Sequence, residues 1–262
     1  MTERPIVTYQ EFLSALLSDR ERFFEEVVAG VALRAKLRHS VVTIVALSGF
    51  FGLVAGAYSG PAQALSSGIK LPLLFFTTFI ICFPAFFVVQ VLVGSRLRLL
   101  QVVVLVSAAL ALTSVLLATF VPIMLFFLMT GANYYFQHLL NIAIAGVAGL
   151  FGLYALHEGL SLVCEKRGVY PRKALTIMRA WAVLFAFVGI QLAWNLRPFL
   201  GDRNEPFRAI GTYQGNFYAA IIYAAKQLLE GEDKPSAPSG QQDTLPRFRG
   251  LPFVPADTLP RP

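Results

Sequence analysis

Charge is what this chain has least of. Only 14% of its 262 residues are Asp, Glu, Lys or Arg, while 56% are hydrophobic, a balance that excludes an ordinary soluble domain. Cysteine is scarce too: Cys82 lies midway along one apolar run and Cys164 at the end of another. Such different depths predict two free thiols and no disulfide framework. Histidine is limited to His39, His138 and His157, and none has the second histidine at i+4 that a zinc-binding helix needs. No serine or cysteine stands beside a base in a nucleophile motif, and no Gly-rich phosphate loop follows a strand. These absences predict a non-enzyme with no catalytic, cofactor-binding or metal-binding residue. A cleavable signal is missing as well, because the first 38 residues are polar and mixed in charge.

What is present is apolar sequence in lengths that match a bilayer. Five runs, at about 40–58, 69–93, 97–120, 139–163 and 174–199, each reach the length a spanning helix requires. The expected fold is all-α and polytopic, in four parts. An amphipathic N-terminal segment occupies 1–38, a five-helix transmembrane bundle 39–200, an outer-side loop and interfacial helix 201–230, and a Pro-rich extended tail 231–262. The net charge of +7 would point to nucleic acid in a soluble protein. Here Lys and Arg cluster beside the apolar runs, where they set topology and meet lipid headgroups, so no nucleic-acid partner is expected.

In the N-terminal segment Thr8 and Glu11 have capping-box spacing. Phe12, Leu13, Leu16 and Leu17 then share one helical face, and Phe23, Phe24, Val27, Val28 and Val31 form a second apolar stripe. Such helices lie on the membrane surface or pack beneath the bundle. In the first span Ser48, Gly52, Gly56 and Gly60 recur every four residues, a smooth strip for close helix packing within the chain or against a second copy. Residues 59–70 read as a loop. Pro72 and Pro84 interrupt the second span, and Pro122 ends or bends the third. The stretch 123–138 reads as an interfacial segment with Tyr134, Tyr135 and His138 at headgroup depth.

Basic residues count six in the N-terminal arm (Arg4, Arg20, Arg22, Arg34, Lys36, Arg38), two in the second loop (Arg96, Arg98) and four in the fourth (Lys166, Arg167, Arg172, Lys173). The first loop has only Lys70 and the third has none. The positive-inside rule then places the N-terminus in the cytoplasm and, after five spans, the C-terminus outside.

The hairpin 139–199 carries the ionisable residues most in need of explanation. Glu158 and Arg179 lie about six residues from the shared loop, so at ~1.5 Å per residue they fall at one depth. A bare charge at helix-centre depth costs about 2.5–3.5 kcal/mol, which predicts an intramembrane ion pair fixing helix register. Transport, a proton relay and snorkelling are the other readings of the same residues. His157 adjoins Glu158. Asn141, Gln191 and Asn195 fall at comparable depths near the outer end and can hydrogen-bond between helices for about 1 kcal/mol.

At the outer exit Trp194, Arg197 and Pro198 are candidates for meeting another molecule. Residues 231–262 hold seven of the fifteen prolines. They contain DTLPR twice, with Asp243, Leu245, Pro246 and Arg247 in the first copy and Asp257, Leu259, Pro260 and Arg261 in the second. The repeat reads either as an extended partner-binding segment or as chance repetition in a biased tail.

Two short stretches, SSGIKLPLL at 66–74 and QLAWNLRPFLG at 191–201, carry a resemblance. The first resembles the entry to the second span in the bacterial branch of the Yip family, five-span proteins with a cytoplasmic N-terminal region. The second is similar to an exit motif in uncharacterised bacterial multi-pass proteins. The resemblance covers about 41–201 and implies a five-span fold in a bacterial inner membrane. The eukaryotic family's acidic-Leu-Tyr-Gly-Pro and Gly-Tyr motifs are absent, so a role in vesicle trafficking does not transfer. The functional expectation is a structural or accessory subunit of a membrane assembly. Its partners would be the lipid bilayer and another membrane or periplasmic protein or a second copy of itself. The alternative is a small-solute permease built around Glu158, His157 and Arg179.

Overall fold

The computed structural model describes residues 5–92, 94–131, 133–167, 172–196 and 222, with side chains described over the same residues apart from 162–167, 172–175, 177 and 178. Every regular element among them is a helix. The first, α1 (Tyr9–Ser18), starts on a reciprocal cap. Thr8 Oγ1 accepts the Glu11 N–H at 3.4 Å, while the Glu11 carboxylate accepts the Thr8 and Val7 N–H groups at 3.0 and 3.2 Å. The Thr8 N–H, then its side chain and the Val7 N–H, hold the Glu11 carboxyl below the usual range. Next, α2 (Arg20–Ala29) is capped by Asp19, whose Oδ1 accepts the Arg22 N–H, and stops at Gly30 in the left-handed conformation, φ 80°. Phe12, Leu16, Phe23, Phe24 and Val27 bury their side chains in the main core, each worth about 1.5–3 kcal/mol.

Five helical stretches are long and apolar enough to cross a membrane. The first, Leu33–Gly56, joins α3 (Leu33–Thr43), a π-helical turn (Ile44–Ser48) and α4 (Gly49–Gly56). The second is α5 (Pro61–Leu92). The third runs through α6 (Leu99–Thr119) and α7 (Val121–Met129), the fourth lies in α8 (Tyr134–Arg167) and the fifth in α9 (Arg172–Leu196).

Three boundaries differ from the sequence reading. Residues 61–70 are the first turns of α5 rather than loop, and Lys70 is a buried residue inside that helix. Pro61 suits a first helical position because its missing N–H would be unsatisfied there anyway; the polar composition of those turns hid the helix from a hydropathy pattern. Residues 123–138 are not one interfacial segment, since α7 continues to Met129 and Tyr134–His138 open α8. Pro122 stands in the first turn of α7, just past the break at Phe120 between α6 and α7, and the third span runs across that break to Met129. The first span begins at Leu33, seven residues before the apolar run, because Lys36 and His39 are satisfied inside the protein.

The central helix is α6, with 14 of its 21 residues buried; it packs against α3 and α8. Its packed faces mix Val and Leu with small residues, among them Ala108, Ala109, Ala111, Ser107 and Ser114. The Ser48–Gly52–Gly56 strip is spent inside the chain, where α4 lies on α5. A methyl added at Gly56 would meet the Gln63 carbonyl oxygen at 2.6 Å and the Ala64 Cα at 2.8 Å, and one at Gly52 would strike the Ser67 carbonyl. Gly60 takes no part in that contact; it is a connector with φ 131°. Cys82 is a buried free thiol. By contrast α9 presents Val183, Leu184 and Phe187 outward, and only 6% of its most apolar window is buried. The loop and interfacial helix expected over 201–230 and the tail expected over 231–262 lie outside the described residues, apart from the helical, exposed Ile222.

Candidate functional site

One ionisable residue of the hairpin, Glu158, meets the N-terminal helices at one end of the bundle. Glu158 stands on α8, which α2 contacts directly. Its Oε2 accepts from Arg20 Nη1 at 2.9 Å, with both side chains about one-third to two-fifths exposed. The residue after it, Gly159, supplies the room for this approach: a methyl there would lie 2.5–2.7 Å from carbons of the Phe24 ring. An ion pair and an aromatic ring seated on a glycine therefore dock α2 onto α8.

Arg179 turns to His157 instead. Its Nε and Nη2 lie 3.3 and 3.2 Å from His157 Nε2. A guanidinium only donates, so Nε2 is the acceptor and the imidazole proton sits on Nδ1, which faces Ser161 Oγ at 3.4 Å. The expected Glu158–Arg179 pair is thus replaced by two others, Glu158–Arg20 and His157–Arg179. Depth matching compared only the two neighbouring helices, whereas the better cation for Glu158 comes from a helix 138 positions earlier.

Two more ties hold the N-terminal segment. Lys36 is fully buried on α3, and its Nζ donates to Glu26 Oε2 at 2.7 Å and to the Val31 carbonyl at 2.8 Å. The same Glu26 oxygen accepts the Ile6 N–H at 3.1 Å. His39 Nε2 lies 2.9 Å from the Val7 carbonyl, a bond that requires its proton on Nε2. Gln101 of α6 donates from Nε2 to the Val27 and Val28 carbonyls at 3.2 and 2.7 Å, satisfying the end of α2. Two residues beyond Arg179, Trp181 is buried against α5. It stacks on Phe86 with centroids 4.3 Å apart and donates Nε1–H to the Cys82 carbonyl at 3.1 Å.

Asn141, Gln191 and Asn195 do not bridge helices among the described residues. Asn195 Nδ2 donates to the Gln191 carbonyl of its own helix at 3.0 Å, a local bond open to any helical Asn. Asn141 is half-buried in α8, with no bond to either. Trp194 is half-buried in the last turn of α9. Arg197, Pro198 and both DTLPR copies, with Asp243, Leu245, Pro246, Arg247, Asp257, Leu259, Pro260 and Arg261, lie outside the described residues.

Sequence reasoning missed Arg20, Glu26, Lys36 and Trp181. Lys36 was legible only as a topology signal, although Glu26 stands ten residues away across a Gly30 turn. Trp181 carried no clear sign of a helix–helix contact, because it stands two residues past the start of the fifth span at Arg179, a depth that also suits an interfacial tryptophan. Chemically, the cluster holds acids and bases already paired with one another, and among the described residues His, Cys, Asp and Glu nowhere gather in a group of three or more. No family model, curated protein or solved structure matches the chain.

Proposed function

We propose that this chain is a non-enzymatic structural or accessory subunit of a membrane assembly, seated in a bacterial inner membrane with its N-terminus cytoplasmic and its C-terminus periplasmic. The observation that carries the reading is the use made of the charges. Glu158, Arg179, Glu26 and Lys36 are engaged in ties between helices, and such ties rigidify a scaffold. The orientation rests on the basic residues. Arg20, Arg22, Arg34, Lys36, Arg38, Arg96 and Arg98 all belong to the end from which the first span starts. The outward apolar face of α9 at Val183, Leu184 and Phe187 is the surface offered to a partner helix, and the DTLPR tail serves as a periplasmic docking segment.

Photo-crosslinking amino acids at positions 183, 184 and 187, placed in the full chain in native membranes, test the reading. The subunit role predicts one discrete protein adduct, either a distinct partner or a second copy; lipid adducts alone at all three positions contradict it. Deleting 231–262 should remove part of the adduct set if the tail docks, and an unchanged set removes the tail from the account.

One observation favours a permease instead. The inward stripe of α5 is largely polar, with Gln63, Ser67, Lys70, Thr78 and Gln90 all buried, and among the described residues neither amide atom of Gln90 has a hydrogen-bond partner. Solute-driven swelling of proteoliposomes would support that reading.

A further inference from the structure

Several span ends converge beside one cleft. The α5 span ends at Leu92, while the α3 and α6 spans start at Leu33 and Leu99. Between the end of α2 and the start of α6 lies a cleft of about 320 Å³, lined by Ala29, Gly30, Leu33, Arg96, Arg98 and Gln101 among others. It therefore sits at the level where helices leave the apolar layer, which is the level of lipid phosphates.

The lining is cationic and has no acid to neutralise it. No Asp or Glu contributes, and among the described residues neither Arg96 nor Arg98 has an ion-pair partner. Gln101 is already committed, its Oε1 accepting the Arg98 N–H at 2.7 Å and its Nε2 bonded to α2. Both arginines are exposed, and α6 starts behind Arg98 with no acidic residue in its first turn, which adds the positive end of a 21-residue helix dipole. The connection is bracketed by Leu92 and Leu99, 79% and 52% exposed. A cationic cleft beside exposed leucines complements an amphiphile better than a free anion.

We propose that this cleft binds the phosphate of an anionic phospholipid, held by Arg96 and Arg98 while the acyl chains lie along the apolar flank at Leu92 and Leu99. The site rests on the chain's membrane character and stands whether or not the subunit reading does. Guanidinium groups suit the role because their forked donors match phosphate oxygens.

Native mass spectrometry of the full-length protein in detergent, titrated with phosphatidylglycerol or phosphatidylcholine, provides the test. The wild type should retain one phosphatidylglycerol in preference to phosphatidylcholine. Each of R96Q and R98Q should weaken that binding about fivefold, the attraction of one cation near an anionic surface, and leave phosphatidylcholine unchanged. Ala29→Phe, which fills the cleft with both arginines intact, should abolish the preference as well; this variant keeps the test independent of any change the charge removals make to folding. R34Q/R38Q, removing two exposed cations of α3 that do not line the cleft, should leave the preference in place. Equal losses in the two arginine pairs would mean a diffuse basic surface and overturn the site. An unchanged preference in R96Q/R98Q, or competition by inorganic phosphate at lipid-like concentrations, overturns it too.

Discussion

Arg20 Nη1 and Glu158 Oε2 lie 2.9 Å apart, joining the second helix of the chain to the eighth across 138 positions. This pair gives Glu158 a structural partner that the neighbouring α9 does not supply. Because both side chains are partly exposed, the interaction is worth about 0.5–1 kcal/mol. A double-mutant cycle of Arg20→Gln and Glu158→Gln, followed by reversible unfolding in micelles, should return a coupling of that size. The corresponding cycle of Glu158→Gln with Arg179→Gln should return none.

A larger effect is expected where the charge is buried. Lys36 is 0% exposed and its Nζ depends on Glu26. Glu26→Gln leaves an ammonium without its counter-ion and should cost about 3–5 kcal/mol, whereas Glu26→Leu with Lys36→Met should recover most of that loss. A Glu26→Gln protein that melts like the wild type would remove this pair from the account.

The α4–α5 contact makes a prediction about glycine. At Gly52 and Gly56 an added methyl meets backbone atoms of α5, which cannot swing aside; Gly52→Ala and Gly56→Ala should each cost about 1–3 kcal/mol. At Gly146 and Gly149 it meets nothing within 4 Å, and alanine there should be neutral or stabilise by up to about 1 kcal/mol through helix propensity. Thermal unfolding of the four variants separates a packing surface from mere glycine content.

Those contrasts mark what the sequence made legible. The four-residue recurrence of Ser48, Gly52 and Gly56 is a local signal, and it became an intramolecular helix contact. The five spans were legible because hydropathy is summed over a window. The starts of the second and fourth spans were not, since Pro61 and Tyr134 open helices with polar or aromatic turns that a window dilutes. The partners of Glu158 and Lys36 were illegible for another reason: a depth argument ranks residues on adjacent spans, and the N-terminal helices have no fixed depth until they fold onto the bundle.

Acid should loosen the start of α1. Glu11 is an exposed carboxylate held below its ordinary value by the Thr8 and Val7 contacts. A lowered folded-state value means that its contribution is present above the unfolded value of about 4.3 and fades as the pH falls through the folded one. Amide hydrogen exchange of Val7 and Thr8, corrected for its intrinsic pH dependence, should show protection lost over that acid window. Glu11→Gln should flatten the dependence.

The most direct test of the central claim, that the hairpin charges tie helices rather than line a path for solute, is the sidedness of water at position 157. A single His157→Cys, in a protein whose Cys82 and Cys164 are replaced by alanine, can be offered a membrane-impermeant maleimide from each side of oriented vesicles. The account predicts labelling from the side of the N-terminal helices alone, with or without added solutes. Labelling from the opposite side as well would contradict it and reveal a water path through the bundle.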